Sequence, residues 1–93
     1  MKIFYIFLIL FGINIISDEF IVIDVRTPEE FKAGHIEESS NVEWQIISSI
    51  IDEVKKDQKI YLYCRSGRRS QNATDILIDL GYEDVTNLGG IKD

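Results

Sequence analysis

Ninety-three residues with a formal net charge of −6 make one small domain at most. The excess of acid, sixteen Asp and Glu against ten Lys and Arg, argues against a nucleic-acid-binding surface. A single cysteine excludes an internal disulfide, so a chain this short must fold on an efficient apolar core alone.

The first stretch does not read as part of that core. Met1-Lys2 is a short positive start, and Ile3 to Ile16 is almost unbroken apolar surface. The run falls short of the roughly 20 apolar residues that a membrane span needs. Charge, then hydrocarbon, then the small residue Ser17 is the order of a secretory signal peptide. Residues 1–17 are therefore expected to be a signal peptide, or an N-terminal anchor if uncut, ahead of a domain over 18–93. The competing reading is a buried first element of the domain, and Ile15 is a poor residue for an A-x-A-like cleavage site. Without residues 1–17 the charge becomes −7, nine cations against sixteen acids.

Phe20 to Asp24 is a short continuous apolar run closed by an acid, the mark of a strand covered on both faces. Thr27-Pro28-Glu29-Glu30 then starts a helix, with Thr27 as cap, Pro28 in the first position and Glu30 closing a capping box. Gly34 ends it, and residues 39–42 predict a brief strand. Ile46, Ile47, Ile50, Ile51 and Val54 have the spacing of an α-helix with one buried face, beginning at Trp44. Lys59 to Tyr63 reads as a second buried strand running into Cys64. Ser70 to Leu80 predicts a helix with Ala73, Ile76, Leu77 and Leu80 inward and Gly81 as its stop. Asp84 to Thr86 is a last strand, after which Gly89-Gly90 is expected to turn the chain. Strand and helix alternate, which predicts an α/β domain: a parallel sheet flanked by helices on both faces.

Ligands of such sheets bind beyond the carboxyl ends of the strands, where Cys64 falls. Between it and the next helix lie Arg65, Ser66, Gly67, Arg68 and Arg69. Gly67 can take backbone angles that turn successive N–H groups inward as an anion-binding nest. The N-terminus of the following helix adds partial positive charge, and the arginines add full charge. A free thiol titrates near pH ~8.5, but one in such surroundings falls to roughly 3.5–7.5. An inert cysteine packed as a small hydrophobe is the plainer alternative, and the electropositive flank argues against it. Cys64 is the expected nucleophile, held as thiolate beside the group that binds an anionic substrate.

The order Ile23-Asp24-Val25-Arg26-Thr27-Pro28-Glu29-Glu30-Phe31, Gly34-His35-Ile36, Tyr63-Cys64-Arg65-Ser66-Gly67-Arg68-Arg69-Ser70, Gly81-Tyr82 and Asn87-Leu88-Gly89-Gly90 resembles a single-domain rhodanese. With its signal-like start and Gly-Gly-Ile-Lys-Asp ending, it is most similar to the periplasmic phage-shock-type rhodaneses. The resemblance implies a thiosulfate sulfurtransferase with no metal or organic cofactor, exported to the periplasm and monomeric. Cys64 would carry a persulfide, the loop 64–69 would cradle the anion, and cyanide or a thiol would accept the sulfur. Arg65 and Arg69 are the expected anion contacts, while Arg68 either joins them or faces solvent. Asp24 and Arg26 read as scaffold that ties loops together, as does His35, because a preformed thiolate needs no base. Two other readings stand beside this one. The domain could carry persulfide sulfur to a dedicated protein partner, or be a module that binds such a partner with its anion site. It could also be a small phosphatase, although tyrosine-phosphatase loops place one more residue between cysteine and arginine than the four found here. Glu37-Glu38-Ser39 departs from the Pro-Gly-Ala of many relatives, which leaves open the path of that loop.

Overall fold

A computed structural model describes residues 19–91; the segment expected to direct export, residues 1–17, lies outside the described residues. The elements in chain order are β1 (Ile21–Asp24), α1 (Pro28–Ala33), β2 (Ser40–Asn41), a 3-10 helix (Trp44–Asp52), β3 (Ile60–Cys64), α2 (Arg68–Asp79) and β4 (Val85–Gly90). The strands form one sheet in the order β2-β1-β3-β4, and every neighbouring pair is parallel. Parallel neighbours require crossovers, which α1, the 3-10 helix and α2 supply in turn. The expected α/β architecture is the one observed.

Register decides which side chains share a face. Ile21 lies beside Ile60, and Ile23 beside Leu62, so these four point to one side. There they meet Ile47 and Ile50 of the 3-10 helix and Ala73 and Leu77 of α2, which pack on each other across the same face. Phe20, Val22, Tyr61 and Tyr63 belong to the opposite face. The loop after α1 crosses that side, where the Tyr63 hydroxyl accepts the Ile36 N–H at 3.0 Å and contacts Ser39 Oγ at 3.2 Å. Glu38 takes a left-handed φ of 71° in this loop, so the Glu37-Glu38-Ser39 variation is absorbed in a turn.

Three local expectations need correction. The segment from Trp44 is a 3-10 helix with a kink at Ile46, not an α-helix. With three residues per turn, Trp44, Ile47 and Ile50 line up toward the core, whereas Ile46 and Ile51 rotate out and are 56% and 44% exposed. Helix α2 starts at Arg68, two residues before the predicted Ser70, so the loop after Cys64 is shorter than expected. Gly89 and Gly90 do not turn the chain; they extend β4 alongside Tyr63 and Cys64.

Candidate active site

The central strands β1 and β3 end side by side, where the chain departs in opposite directions across the sheet. That is the switch point at which α/β sheets bind ligands. Cys64 closes β3 and is fully buried. Burial distinguishes nothing here, since an inert core cysteine is buried too; its polar neighbours do. The Gly67 N–H donates to Sγ at 2.9 Å and the Ser70 N–H at 3.4 Å, with Ser70 Oγ at 3.3 Å. Burial is the largest influence on the thiol and opposes ionisation. The Ser70 hydroxyl and the backbone N–H groups of Ser70, Ser66 and Gly67 together outweigh it, holding Cys64 below its ordinary value. Gly67 makes this geometry possible with a left-handed φ of 98°, and α2 begins at the next residue with its positive dipole end at the loop.

Strand β4 shapes the loop from outside. The Ile91 N–H donates to the Cys64 carbonyl at 2.9 Å. Asn87 Nδ2 donates to the Gly67 carbonyl at 3.1 Å, and Asn87 Oδ1 accepts from Ser70 Oγ at 2.6 Å. Gly90 lies so close beneath that a methyl group there would sit on the Arg65 carbonyl and 2.7 Å from Ser66 Cα. Asn87, Gly89 and Gly90 stood in the quoted motifs, but no local pattern says that they frame a loop more than twenty residues earlier.

The three loop arginines take separate places. Arg65 is exposed and borders a cavity of about 330 Å³ with Arg26, Glu29, Glu30, Ala33 and Gly34. Arg68 is exposed on the first turn of α2. Arg69 is not free to meet an anion with both its terminal nitrogens. They donate to Glu30 Oε1 and Oε2 at 2.8 and 3.0 Å, a two-pronged clasp between α2 and α1. The same Glu30 closes the capping box expected at Thr27, accepting the Thr27 N–H at 3.0 Å.

The Arg69 guanidinium and then the Thr27 N–H pull the Glu30 carboxyl down to about 2, against a smaller opposing effect of burial. Because the folded value lies below the ordinary 4.5, the clasp stabilises the fold above that pH and ceases to as the pH falls toward 2. A Glu30→Gln variant should melt lower than the native protein at pH 7, by about 1 kcal/mol in stability. The gap should close as both are acidified through this window. A gap that stays constant down to pH 2 would mean that the carboxylate charge is not what the clasp uses.

Asp24 and Arg26 are buried and bind each other as the sequence implied. Asp24 Oδ1 accepts the Arg26 backbone N–H at 2.9 Å and Nε at 3.0 Å, and Oδ2 accepts Nη2 at 2.7 Å. Nη2 also donates to the Gly34 carbonyl at 2.6 Å, and the guanidinium lies 5.6 Å from the centre of the Tyr63 ring. Asn41 ties in the edge strand β2 by donating to the carbonyls of Asp24 and Arg26. His35 stacks on Phe31 at 3.6 Å, and its Nδ1 donates to the Phe31 carbonyl at 2.7 Å, closing the end of α1. That is a scaffold contact, as expected.

A thiol held below its ordinary value by inward N–H groups, at the carboxyl edge of a parallel sheet, has the surroundings of a reactive cysteine. The sequence matches the rhodanese-like domain family over residues 13–93, and the chain belongs to that family. It is 36% identical over 73 residues to thiosulfate sulfurtransferase PspE of Escherichia coli, covering 76% of this chain and 70% of that protein. A sulfurtransferase of Allochromatium vinosum is 35% identical over 74 residues, with 80% and 69% covered. Among solved structures, a rhodanese with anions from E. coli superposes with a TM-score of 0.71 at 30% identity, covering 78% of this chain and 98% of that one. The human single-domain sulfurtransferase TSTD1 gives 0.72 at 25% identity, with 80% and 78% covered. Family and fold together make the chain a sulfurtransferase.

Proposed function

We propose that the chain moves the outer sulfur of thiosulfate to a thiol or cyanide through a persulfide on Cys64. The observation that supports this most directly is the convergence of two N–H groups and one hydroxyl on a buried sulfur. The Cys64 thiolate attacks the outer sulfur of thiosulfate, the S–S bond breaks, and sulfite leaves with the bonding electron pair. The acceptor then attacks the outer sulfur of the persulfide, and Cys64 departs as thiolate. Each half-reaction is a displacement at sulfur, so ping-pong kinetics are expected. The loop amides from Ser66 and Gly67 stabilise the anionic sulfur, and Arg65 at the cavity mouth attracts the anion. Arg69 contributes its charge while it holds the loop to α1 through Glu30. Neither displacement calls for a metal or organic cofactor.

Residues 1–17 we infer to be an export signal that delivers the domain to the periplasm, from the charged start and the apolar run that follows.

Intact mass measurement tests both. Protein recovered from the periplasmic fraction should lack residues 1–17 and gain one sulfur atom on incubation with thiosulfate. Cyanide should remove that atom, and a Cys64→Ser variant should never acquire it. No mass change at any thiosulfate concentration would sink the persulfide reading, and full-length protein confined to the cytoplasm would sink export. A persulfide that forms but discharges only to a protein would replace the small-molecule acceptor with a dedicated partner.

A further inference from the structure

Half-buried Asn87 makes polar contacts that the persulfide reaction does not itself require, and its orientation is unambiguous. Oδ1 accepts the Gly89 N–H at 2.8 Å, and Nδ2 donates to the Gly67 carbonyl at 3.1 Å and to Gln71 Oε1 at 3.0 Å. A backbone N–H can only donate and a carbonyl can only accept, so the amide cannot be flipped. Asn87 Oδ1 is therefore an acceptor where it meets Ser70 Oγ at 2.6 Å. The Ser70 hydroxyl has one hydrogen and three claimants, Asn87 Oδ1 at 2.6 Å, the Gly67 carbonyl at 3.1 Å and Cys64 Sγ at 3.3 Å. Of the three, the Asn87 contact is the shortest.

We propose that Asn87 is a positioning residue that holds the Ser70 hydroxyl hydrogen while Cys64 Sγ is neutral, so that Ser70 turns it to the sulfur only as charge develops there. The inference rests on the persulfide reading. In the thiol or the persulfide, Sγ carries no charge and the short bond to Asn87 wins. When the acceptor pulls the outer sulfur away, the departing Sγ becomes a thiolate, and the hydroxyl rotates to donate to it. No proton changes owner: a single O–H bond swings between two acceptors, and Asn87 Oδ1 keeps the Gly89 N–H throughout. The sulfur thus gains a donor in the charged state that it lacks in the neutral one, which is where a hydrogen bond accelerates the step.

Other groups around Cys64 do not substitute for this arrangement. The charge facing it from α2 is Arg69, neutralised by Glu30 of α1. From β1, Asp24 lies on the other face of the sheet, paired with Arg26. Arg65 and Arg68 of the loop are exposed, the 3-10 helix presents Ile47 and Ile50, and β4 carries no titratable side chain from Val85 to Gly90.

The test is the pH dependence of Cys64 alkylation by iodoacetamide in native protein, Asn87→Ala, Ser70→Ala and the double variant. Losing the nearest competitor should free the Ser70 hydrogen for the thiolate, whose charge attracts it more strongly than the neutral Gly67 carbonyl does. Asn87→Ala should therefore raise the thiolate-to-thiol ratio about fivefold, the worth of one ordinary hydrogen bond. Ser70→Ala should lower it, and adding Asn87→Ala to Ser70→Ala should change nothing further. A merely structural Asn87 predicts the opposite sign, because a loosened loop would weaken the Gly67 and Ser70 N–H bonds to sulfur. A lower ratio in Asn87→Ala, or an Asn87 effect that persists without Ser70, overturns the proposal. If Asn87→Ala does not fold, the Asn87 carbonyl carbon can be followed by NMR in native protein. Its resonance should titrate with Cys64 and return to its thiol position when the thiol is methylated; a resonance indifferent to Cys64 ionisation overturns the proposal. Alkylation reads the thiol alone, so these results stand apart from whether thiosulfate is the donor.

Discussion

Replacing Gly90 with alanine is expected to cost about 100-fold or more in kcat/KM with little change in secondary structure. The added methyl would occupy the space of the Arg65 carbonyl and press on Ser66 Cα, both backbone atoms of the loop that encloses Cys64. Backbone cannot swing aside as the tip of a flexible side chain can. Either the loop rises or the end of β4 pulls away from Cys64, with which Gly90 is in register. In both cases the N–H groups now 2.9 and 3.4 Å from Sγ are displaced. A misplacement of about 1 Å at a reacting centre is enough for a loss of this size. The measurement is steady-state turnover of thiosulfate and cyanide beside far-ultraviolet circular dichroism. Native kcat/KM in a folded Gly90→Ala protein would show that the loop does not need its present position.

The second large effect falls on stability. Arg26 is 4% exposed in the native fold, and Asp24→Ala removes its carboxylate partner. Breaking a buried pair by removing one member typically costs about 3–5 kcal/mol, because the other charge stays out of water without compensation. Against the roughly 5–15 kcal/mol that holds a domain together, that loss is a large share. Urea denaturation should place the variant midpoint far below the native one. Replacing both partners, Asp24→Leu with Arg26→Met, should recover much of the difference, since no charge is then stranded. A single variant within 1 kcal/mol of native would mean that Arg26 finds water or another partner.

How much of this was legible in the sequence depended on the range of the interactions. The capping box at Thr27 and Glu30, the apolar strands and the cysteine at a strand end are local patterns, and each is where the residues put it. The 3-10 helix was misread because five apolar residues fit two helical periods. The observed period puts Ile47 and Ile50 into the core, and that packing is a tertiary fact. Gly89-Gly90 read as a turn because glycine pairs usually are. In the fold they are a strand made smooth enough for another backbone to lie against it. Arg69 showed the same limit from the other side. Its charge was evident, but its partner Glu30 is 39 residues away, and nothing near Arg69 announces it.

The skipped residue in β4 bears on how the site is assembled. Pairing runs Leu62 to Asn87 and then Tyr63 to Gly89, so Leu88 bulges out of register. That slip lets Asn87 reach the loop from one side while Gly90 passes under it. β4 therefore fixes the loop from one side, and the Arg69–Glu30 clasp from α1 fixes it from another. Until β4 docks, the loop lacks its Asn87 and Gly90 contacts, so the cradle is complete only when the sheet is.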